Sequence, residues 1–218
     1  MILAVASGKG GVGKSTVAYN LAAALGAVVV DGDLGMANLP ADRGPTLHDV
    51  LAGRADAREA VRAGPVTVLP CGRSLAGARA AEVTKLGDAL VPVEREHGIV
   101  VIDCPAGLRA DVGVPLAVAD AAVIVAAPEP FALADALRTR ELARELDAPL
   151  SAVVLNRVVD DPPTPTVRSA LGAPVTSVPA DPRVGRSVEV ETPVVDAAPG
   201  SDPAAAFTSL AKRVERSD

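Results

Sequence analysis

Residues 7–16, with the sequence SGKGGVGKST, constrain the fold more than any other part of this chain. An apolar run at residues 2–6 precedes them, and a helix-forming run at residues 17–25 follows and ends at Gly26. When a glycine loop joins a strand to a helix, the N–H groups of the loop and of the first helical turn point at the same anion. The sequence therefore predicts a phosphate-binding loop that leads into a helix.

The residue types in this loop match the pattern G-x-x-x-x-G-K-S/T at residues 8–15. Glycines allow the backbone to approach phosphate oxygens more closely than a β-carbon would permit. Lys14 is expected to reach the β- and γ-phosphates of a nucleotide, and the hydroxyl of Ser15 is expected to bind Mg²⁺. The predicted nucleotide-binding residues in this segment are Gly8, Gly10, Gly11, Val12, Gly13, Lys14, Ser15 and Thr16.

Length and composition limit the class of protein. The chain has 218 residues with 49% hydrophobic content, which suits one α/β domain over residues 1–218 with no domain boundary. Its net charge of −6 argues against a broad nucleic-acid-binding surface, and its aromatic side chains, Tyr19, Phe131 and Phe207, are too few to stack bases. We therefore expect no sequence-specific binding of nucleic acid.

The two cysteines, Cys71 and Cys104, stand apart in apolar surroundings, and the sequence has no C-x-x-C pair. An iron–sulfur or zinc site within one chain is therefore not expected. We predict buried free thiols, which are typical of a protein in the reducing cytoplasm, over the alternative of a disulfide between the two cysteines.

Apolar runs alternate with helical segments along the chain. This alternation predicts a single three-layer, doubly wound α/β domain, with a mostly parallel sheet and helices on both faces. We predict a short helix at residues 47–51 with Thr46 as N-cap, a helix over residues 79–96 that breaks near Pro92, and a helix that starts at Pro130. His48 is expected on a helix surface.

Polar residues follow the apolar runs at the points where strands are expected to end. They are Asp31, Asp33, Asp103, Asn156 and Asp181. In an open parallel sheet, ligands bind beyond the carboxyl ends of the strands, so these side chains are expected to converge on the glycine loop. Asp103, after four apolar residues, is the carboxylate expected on the Mg²⁺ side of such a site.

Several stretches of the sequence are similar to those of one known family. Lys9 follows the first glycine and gives the loop two lysines, a "deviant" Walker A pattern. Residues 31–39 read DGDLGMANL and residues 103–107 read DCPAG, and shorter matches lie at residues 69–70, 155–157 and 178–181. Over nearly its whole length the chain resembles the MinD/ParA family of P-loop ATPases, and within it the MinD-like subfamily.

The resemblance implies an ATPase that uses ATP and Mg²⁺ and hydrolyses ATP slowly until an activating partner protein stimulates it. Two subunits would enclose the nucleotides in an ATP-dependent homodimer, and Lys9 would reach the nucleotide of the other subunit. Lys14 would stabilise charge on the phosphoryl oxygens, and Asp33 would orient the attacking water. The catalytic residues implied are thus Lys9, Lys14 and Asp33.

The resemblance also implies roles for residues around this catalytic group. Ser15 would bind Mg²⁺ directly and Asp103 through water, while Asp31 and Asn38 would form a switch loop that detects the γ-phosphate. Asn156 would face the adenine, with Pro179 and Asp181 along the other side of the ring.

The C-terminal segment departs from what the resemblance implies. Residues 203–216 are predicted to form a helix whose apolar stripe, Phe207, Leu210, Ala211 and Val214, docks on the domain. MinD-type proteins usually end in a basic amphipathic helix that binds membranes, and here nothing apolar follows Val214. We therefore expect weak or indirect membrane association.

Three functions remain open from the sequence. The first is an ATP-dependent dimerisation switch that positions a cellular structure, such as a division site or a partitioned cargo. The second is an ATPase scaffold for delivery of a cofactor or metal cluster, which the lack of a cysteine pair disfavours. The third is a nucleotide-binding regulatory module that does not hydrolyse ATP, which the presence of Lys9 and Asp33 disfavours.

Overall fold

The computed structural model describes residues 1–35, 37–40, 43–107, 110–129 and 132–216, and at residues 110–112 it describes the backbone alone. Within these ranges, seven strands form one sheet. They are β1 (Ile2–Ala6), β2 (Val28–Asp31), β3 (Thr67–Leu69), β4 (Val100–Asp103), β5 (Ala121–Ala126), β6 (Leu150–Val158) and β7 (Val175–Pro179).

The strand order is β3-β2-β4-β1-β5-β6-β7, and every neighbouring pair is parallel. β1 is the central strand, with β2, β3 and β4 on one side of it and β5, β6 and β7 on the other. The loop after β1 therefore lies where the strand order reverses, which is the ligand-binding edge of open α/β sheets. This architecture confirms the predicted doubly wound, mostly parallel sheet.

Eleven α-helices connect the strands within the described part of the chain, together with a 3-10 turn at Val83–Lys85. They are α1 (Lys14–Leu25), α2 (Leu47–Leu51), α3 (Ala57–Ala60), α4 (Leu75–Ala80), α5 (Leu86–His97), α6 (Ala110–Ala117), α7 (Ala132–Glu145), α8 (Thr164–Leu171), α9 (Pro182–Arg186), α10 (Val194–Ala197) and α11 (Asp202–Val214).

Helices cover both faces of the sheet because its strands are apolar on both sides. Leu3 and Val5 of β1 pack on one face, in a cluster that includes residues of α1 and α11. Ile2 and Ala4 alternate to the other face, in a cluster with residues of α5 and α6. Both faces of β1 are thus dry, as expected of a central parallel strand.

Local signals explain several helix ends. Thr46 caps α2 as predicted and forms a capping box with Asp49. At the two ends of α1, Gly13 and Gly26 have φ values of 88° and 63°, in the left-handed region that glycine adopts without strain.

The predicted helix break near Pro92 is wrong. α5 continues through Pro92 to His97, and the segment before it divides into α4 and the 3-10 turn. A proline inside a helix costs about 3 kcal/mol. Leu90 and Val93 flank it and are fully buried, so packing against the sheet offsets this cost. The predicted helix start at Pro130 lies outside the described residues.

The C-terminal helix α11 packs on the same face as α1. Phe207, Leu210, Ala211 and Val214 are all buried there. Across the described residues, no helix combines the length and the apolar character that a bilayer crossing requires.

Candidate functional site

The glycine loop after β1 has a backbone that only glycine allows at several points. Gly11 and Gly13 have φ values of 80° and 88°, respectively. At Gly8, a β-carbon would lie 2.6 Å from the main-chain oxygen of Asp135 in α7. At its glycine positions the loop therefore presents main chain without side chains, which is the form a phosphate cradle requires.

Lys14 points into the protein from the first turn of α1. Its Nζ lies 2.6 Å from Oδ1 of Asp103, at the end of β4, and both side chains are buried. Burial raises the pKa of Asp103, while Lys14 and a hydrogen bond from Ser15 oppose that rise. The structure thus brings Lys14, Ser15 and Asp103 together.

The residues around Asp103 fit a bound Mg²⁺. Oδ2 of Asp103 is buried without a hydrogen-bond partner among the described residues, and so is Oδ1 of Asp31. The two aspartates are paired neighbours on adjacent strands. Two unsatisfied carboxylate oxygens beside a serine hydroxyl form the hard oxygen donor set that Mg²⁺ prefers. Ser15 would hold the ion directly and Asp103 through water.

Asp31 anchors the loop that follows β2. Its Oδ2 accepts hydrogen bonds from the main-chain N–H groups of Asn38, at 2.7 Å, and Leu39, at 3.0 Å. In the same loop, Oδ1 of Asp33 accepts from the N–H of Gly35 at 3.2 Å, and the Asn38 amide lies 3.5 Å from Asp33 Oδ2. The predicted switch residues Asp31 and Asn38 thus share one loop with Asp33.

Burial raises the pKa of Asp31 to about 7, and the Asp103 charge adds to the rise although backbone N–H groups oppose it. The folded protein then keeps a proton on Asp31 up to about pH 7, whereas the unfolded chain releases it near pH 4. The folded state binds more protons between these values, so the group's contribution to stability falls as pH rises from about 4 to about 7.

We expect Asp31→Asn to remove this pH dependence. The amide oxygen still accepts from Asn38 and Leu39, and no charge remains to be desolvated. The free energy of unfolding of Asp31→Asn minus that of wild type should be roughly 2 to 3 kcal/mol greater at pH 8 than at pH 5. Urea unfolding at both pH values in the presence of EDTA measures this difference in stability.

The control is Asp160→Asn, on the exposed loop after β6. If Asp31→Asn differed from wild type by the same free energy at both pH values, the prediction would be contradicted.

Lys9 lies on the outside of the glycine loop. Its side chain is 60% exposed, and its Nζ is 3.8 Å from a carboxylate oxygen of Glu129, itself 63% exposed. The structure therefore places the two loop lysines differently: Lys14 pairs with a buried carboxylate, and Lys9 contacts a solvated one. Lys9 is thus not brought into the cluster around Asp103.

A cleft of about 490 Å³ adjoins the first turn of α1 on the side away from β4. Its lining includes Thr16, Asn156, Pro179 and Asp181, which the sequence analysis assigned to nucleotide binding. A bulge in β6 between Asn156 and Val158, with φ of 61° at Arg157, turns the strand at this point. The structure thus gathers the predicted base-binding residues along one cleft.

Two of these residues have contacts that differ from the expected role. The amide nitrogen of Asn156 donates to the main-chain oxygen of Val12 at 2.9 Å, so this donor holds the glycine loop and is not directed at a base. Asp181 caps α9 and pairs with Arg183, whose Nη2 lies 2.7 Å from Oδ2. Hydrogen bonds from the side chain and the main-chain N–H of Arg183 lower the pKa of Asp181.

Asn20, which no sequence pattern marked as important, is fully buried in α1. Its amide donates to the Thr16 main-chain oxygen at 2.8 Å and to Ser187 Oγ at 2.7 Å, and its own oxygen accepts from the N–H of Val194 at 2.7 Å. These bonds tie the helix behind the glycine loop to the segment that follows the cleft-lining residues. An asparagine inside a helical run gives no sequence signal for partners so distant in the chain.

The expected surface position of His48 is wrong. His48 is 2% exposed, and its ring contacts the loop that carries Asp33. Only the tertiary arrangement of α2 against that loop buries it, so the helical pattern alone could not reveal the contact.

Comparisons with known proteins agree with this geometry. Residues 3–194 match the family described as the CobQ/CobB/MinD/ParA nucleotide binding domain. An uncharacterised ATP-binding protein of Methanocaldococcus jannaschii is 36% identical over 97% of this chain and 86% of its own length.

Two solved structures are also similar. The cell division ATPase MinD of Pyrococcus furiosus has a TM-score of 0.91 at 33% identity, covering 100% of this chain and 99% of that one. The septum site-determining protein MinD of Pyrococcus horikoshii, solved with Mg-ADP, has a TM-score of 0.89 at 32% identity, covering 98% and 95%. Nucleotide and Mg²⁺ are typical cofactors of such proteins. This chain therefore belongs to the MinD/ParA family of nucleotide-binding proteins.

Proposed function

We propose that this protein is an ATP-dependent dimerisation switch that hydrolyses ATP and so controls the position of a cellular structure. The observation that carries the proposal is the opposite placement of the two loop lysines. Lys14 is buried on Asp103, where it serves its own subunit's site. Lys9 is 60% exposed on the other side of the loop, where it is open to a second subunit.

The contact that Lys9 makes within its own subunit is weak. An ion pair at 3.8 Å between two largely exposed side chains is screened by solvent and contributes little to stability. Lys9 can therefore exchange Glu129 for a phosphate on a partner at low cost. A phosphate carries more charge than a carboxylate, and a site closed between two subunits excludes water, so the exchange favours the dimer.

The other residues would bind the nucleotide, orient the attacking water and detect the γ-phosphate. The glycine loop, Lys14 and Ser15 would bind the triphosphate and Mg²⁺, and Asp33 would orient the attacking water. Asp31 and Asn38 hold the Asp33 loop through their hydrogen bond, so movement of this loop would report whether the γ-phosphate is present.

We expect Lys9→Ala to retain ATP binding to the monomer within about threefold and to lose ATP-dependent dimerisation, because Lys9 would contact only the partner's nucleotide. Light scattering with saturating ATP and Mg²⁺ measures the oligomeric state, and a fluorescent ATP analogue measures affinity.

Glu129→Gln is the matched control for this experiment. It removes the exposed ion pair and leaves Lys9 in place, so it should dimerise at least as readily as wild type. If Glu129→Gln reproduced the loss seen in Lys9→Ala, the ion pair within one subunit would be the important contact, and the proposal for Lys9 would be withdrawn.

The delivery-scaffold alternative gains no support from the cysteines. Cys71 and Cys104 are both free and buried, and burial raises the pKa of each thiol to about 12. Such thiols are poor ligands for a cluster that must be exchanged. We further propose that the whole chain acts as one ATPase domain in the cytoplasm, with a partner protein that stimulates hydrolysis and membrane association that is weak or indirect.

A further inference from the structure

The loop that carries Asp33 is held by contacts at its start, at its end and in its middle. At its start, the N–H of Gly32 donates to the main-chain oxygen of Asp103 at 3.0 Å. At its end, Asp31 accepts from the N–H groups that follow the turn. In its middle, the main-chain oxygen of Leu34 lies 3.0 Å from Nε2 of His48. This third contact comes from α2, outside the loop.

His48 sits in a slot shaped by two glycines. A β-carbon at Gly72 would collide with Nδ1 of the ring, and one at Gly77 would lie 2.9 Å from the same atom. The residue is 2% exposed, and Sγ of Cys71 lies 3.3 Å from Nε2. Three segments, α2, the loop after β3 and α4, therefore determine where the imidazole lies.

The two ring nitrogens have different surroundings. A carbonyl oxygen only accepts hydrogen bonds. Nε2 therefore carries a hydrogen and donates a hydrogen bond to the main-chain oxygen of Leu34. Nδ1 is buried and has no partner among the residues that the structure describes. An unpaired buried nitrogen is unfavourable, and a leucine would fill the slot without it. Packing alone therefore does not account for an imidazole here, whereas the Nε2 hydrogen bond does.

We propose that His48 is a positioning residue that sets the place of Asp33 through the carbonyl of Leu34. This inference rests on the proposed ATPase function. Leu34 follows Asp33 directly, and its N–H donates to the oxygen of Gly32 at 3.1 Å. With its carbonyl held by His48, both main-chain polar groups of Leu34 are bound, and they belong to the two peptide units on either side of its Cα. Asp33 lies within this turn, so the turn sets the position of its carboxylate relative to the attacking water.

The consequence is a specific effect on hydrolysis. A small displacement of a group that orients a reactant lowers the rate strongly, while binding of the nucleotide depends on the separate glycine loop. Loss of the His48 hydrogen bond should therefore lower the hydrolysis rate and leave ATP affinity unchanged. A purely structural role would instead lower stability without separating these two quantities.

The experiment compares His48→Leu, which removes the donor, with His48→Gln, which keeps an N–H donor at a similar reach. Hydrolysis is measured in single turnover with protein in excess over Mg-ATP, and affinity with a fluorescent ATP analogue. We expect His48→Leu to lower the rate about tenfold or more with affinity within about twofold, and His48→Gln to recover most of the rate. His97→Leu, at the end of α5, is the control for the same chemical change elsewhere.

A double-mutant cycle tests whether the effect passes through Asp33. In an Asp33→Ala background, His48→Leu should cause no further loss of hydrolysis. If Asp33→Ala itself leaves hydrolysis unchanged, the proposed function fails. If Asp33→Ala lowers the rate but His48→Leu does not, or if His48→Gln is as slow as His48→Leu, the positioning role is overturned. Should His48→Leu fail to fold, His48→Phe takes its place under the same criteria.

Discussion

Lys14→Ala is expected to weaken ATP binding by about a hundredfold or more, because it removes a charge that is already desolvated and oriented. The Nζ of Lys14 is held 2.6 Å from Asp103 within a buried pair, so it reaches the site without losing rotamer freedom on binding. Equilibrium titration with a fluorescent ATP analogue measures the loss. Lys85→Ala, which removes an exposed lysine paired with Glu82, should bind ATP as wild type does.

Loss of Lys14 also affects folding, and the two effects can be separated. Removing one partner of a buried ion pair leaves an uncompensated charge and costs about 3 to 5 kcal/mol. Combining Lys14→Ala with Asp103→Asn removes both charges, so the double variant should regain much of the stability in urea unfolding and still fail to bind ATP. If the stabilised double variant bound ATP normally, Lys14 would not contact the phosphates.

Asp33→Ala is expected to lower hydrolysis by about a hundredfold or more while ATP binding is retained. The glycine loop, Lys14 and Ser15 remain intact in this variant, so ATP still binds. Because the dimer then rarely converts ATP to ADP, it should accumulate. Light scattering with saturating ATP and Mg²⁺ should show a stable dimer for Asp33→Ala and a transient one for wild type.

The control for Asp33→Ala is Asp160→Ala, in the exposed loop after β6, which should hydrolyse ATP at the wild-type rate. A monomeric Asp33→Ala at saturating ATP would defeat the dimerisation switch, whatever its rate of hydrolysis. If the Asp33→Ala dimer accumulates as expected, proteins captured by it would identify the structure that the switch positions.

Much of the fold and of the site was predictable because it depends on local sequence. The glycine loop requires only neighbouring residues, and the apolar alternation determines which segments become buried parallel strands. Once the strands are parallel, their carboxyl ends share one edge of the sheet, which brings Asp31 and Asp103 into register. The same reasoning found the cap at Thr46, since a capping box spans four residues.

Features that depend on contacts distant in the chain were not predictable in this way. The helix α5 continues through Pro92 because Leu90 and Val93 are buried against the sheet. This burial outweighs the cost of a proline inside a helix, which is all that the local sequence shows. Asn156 follows a strand end as expected, yet its amide holds Val12, a residue 144 positions away. The amide contact depends on how β6 lies beside the loop, and this is a property of the sheet order.

The sequence by itself determined that this chain has a phosphate-binding loop, a doubly wound sheet around it and acidic residues at the loop's edge. These follow from backbone geometry and from the burial of apolar runs, which act over a few residues at a time. Only the tertiary structure decided that Lys14 pairs with a buried carboxylate and Lys9 with a solvated one, and that His48 is buried against the Asp33 loop. Such choices depend on which surfaces meet when helices pack on the sheet, and no single stretch of sequence contains both surfaces.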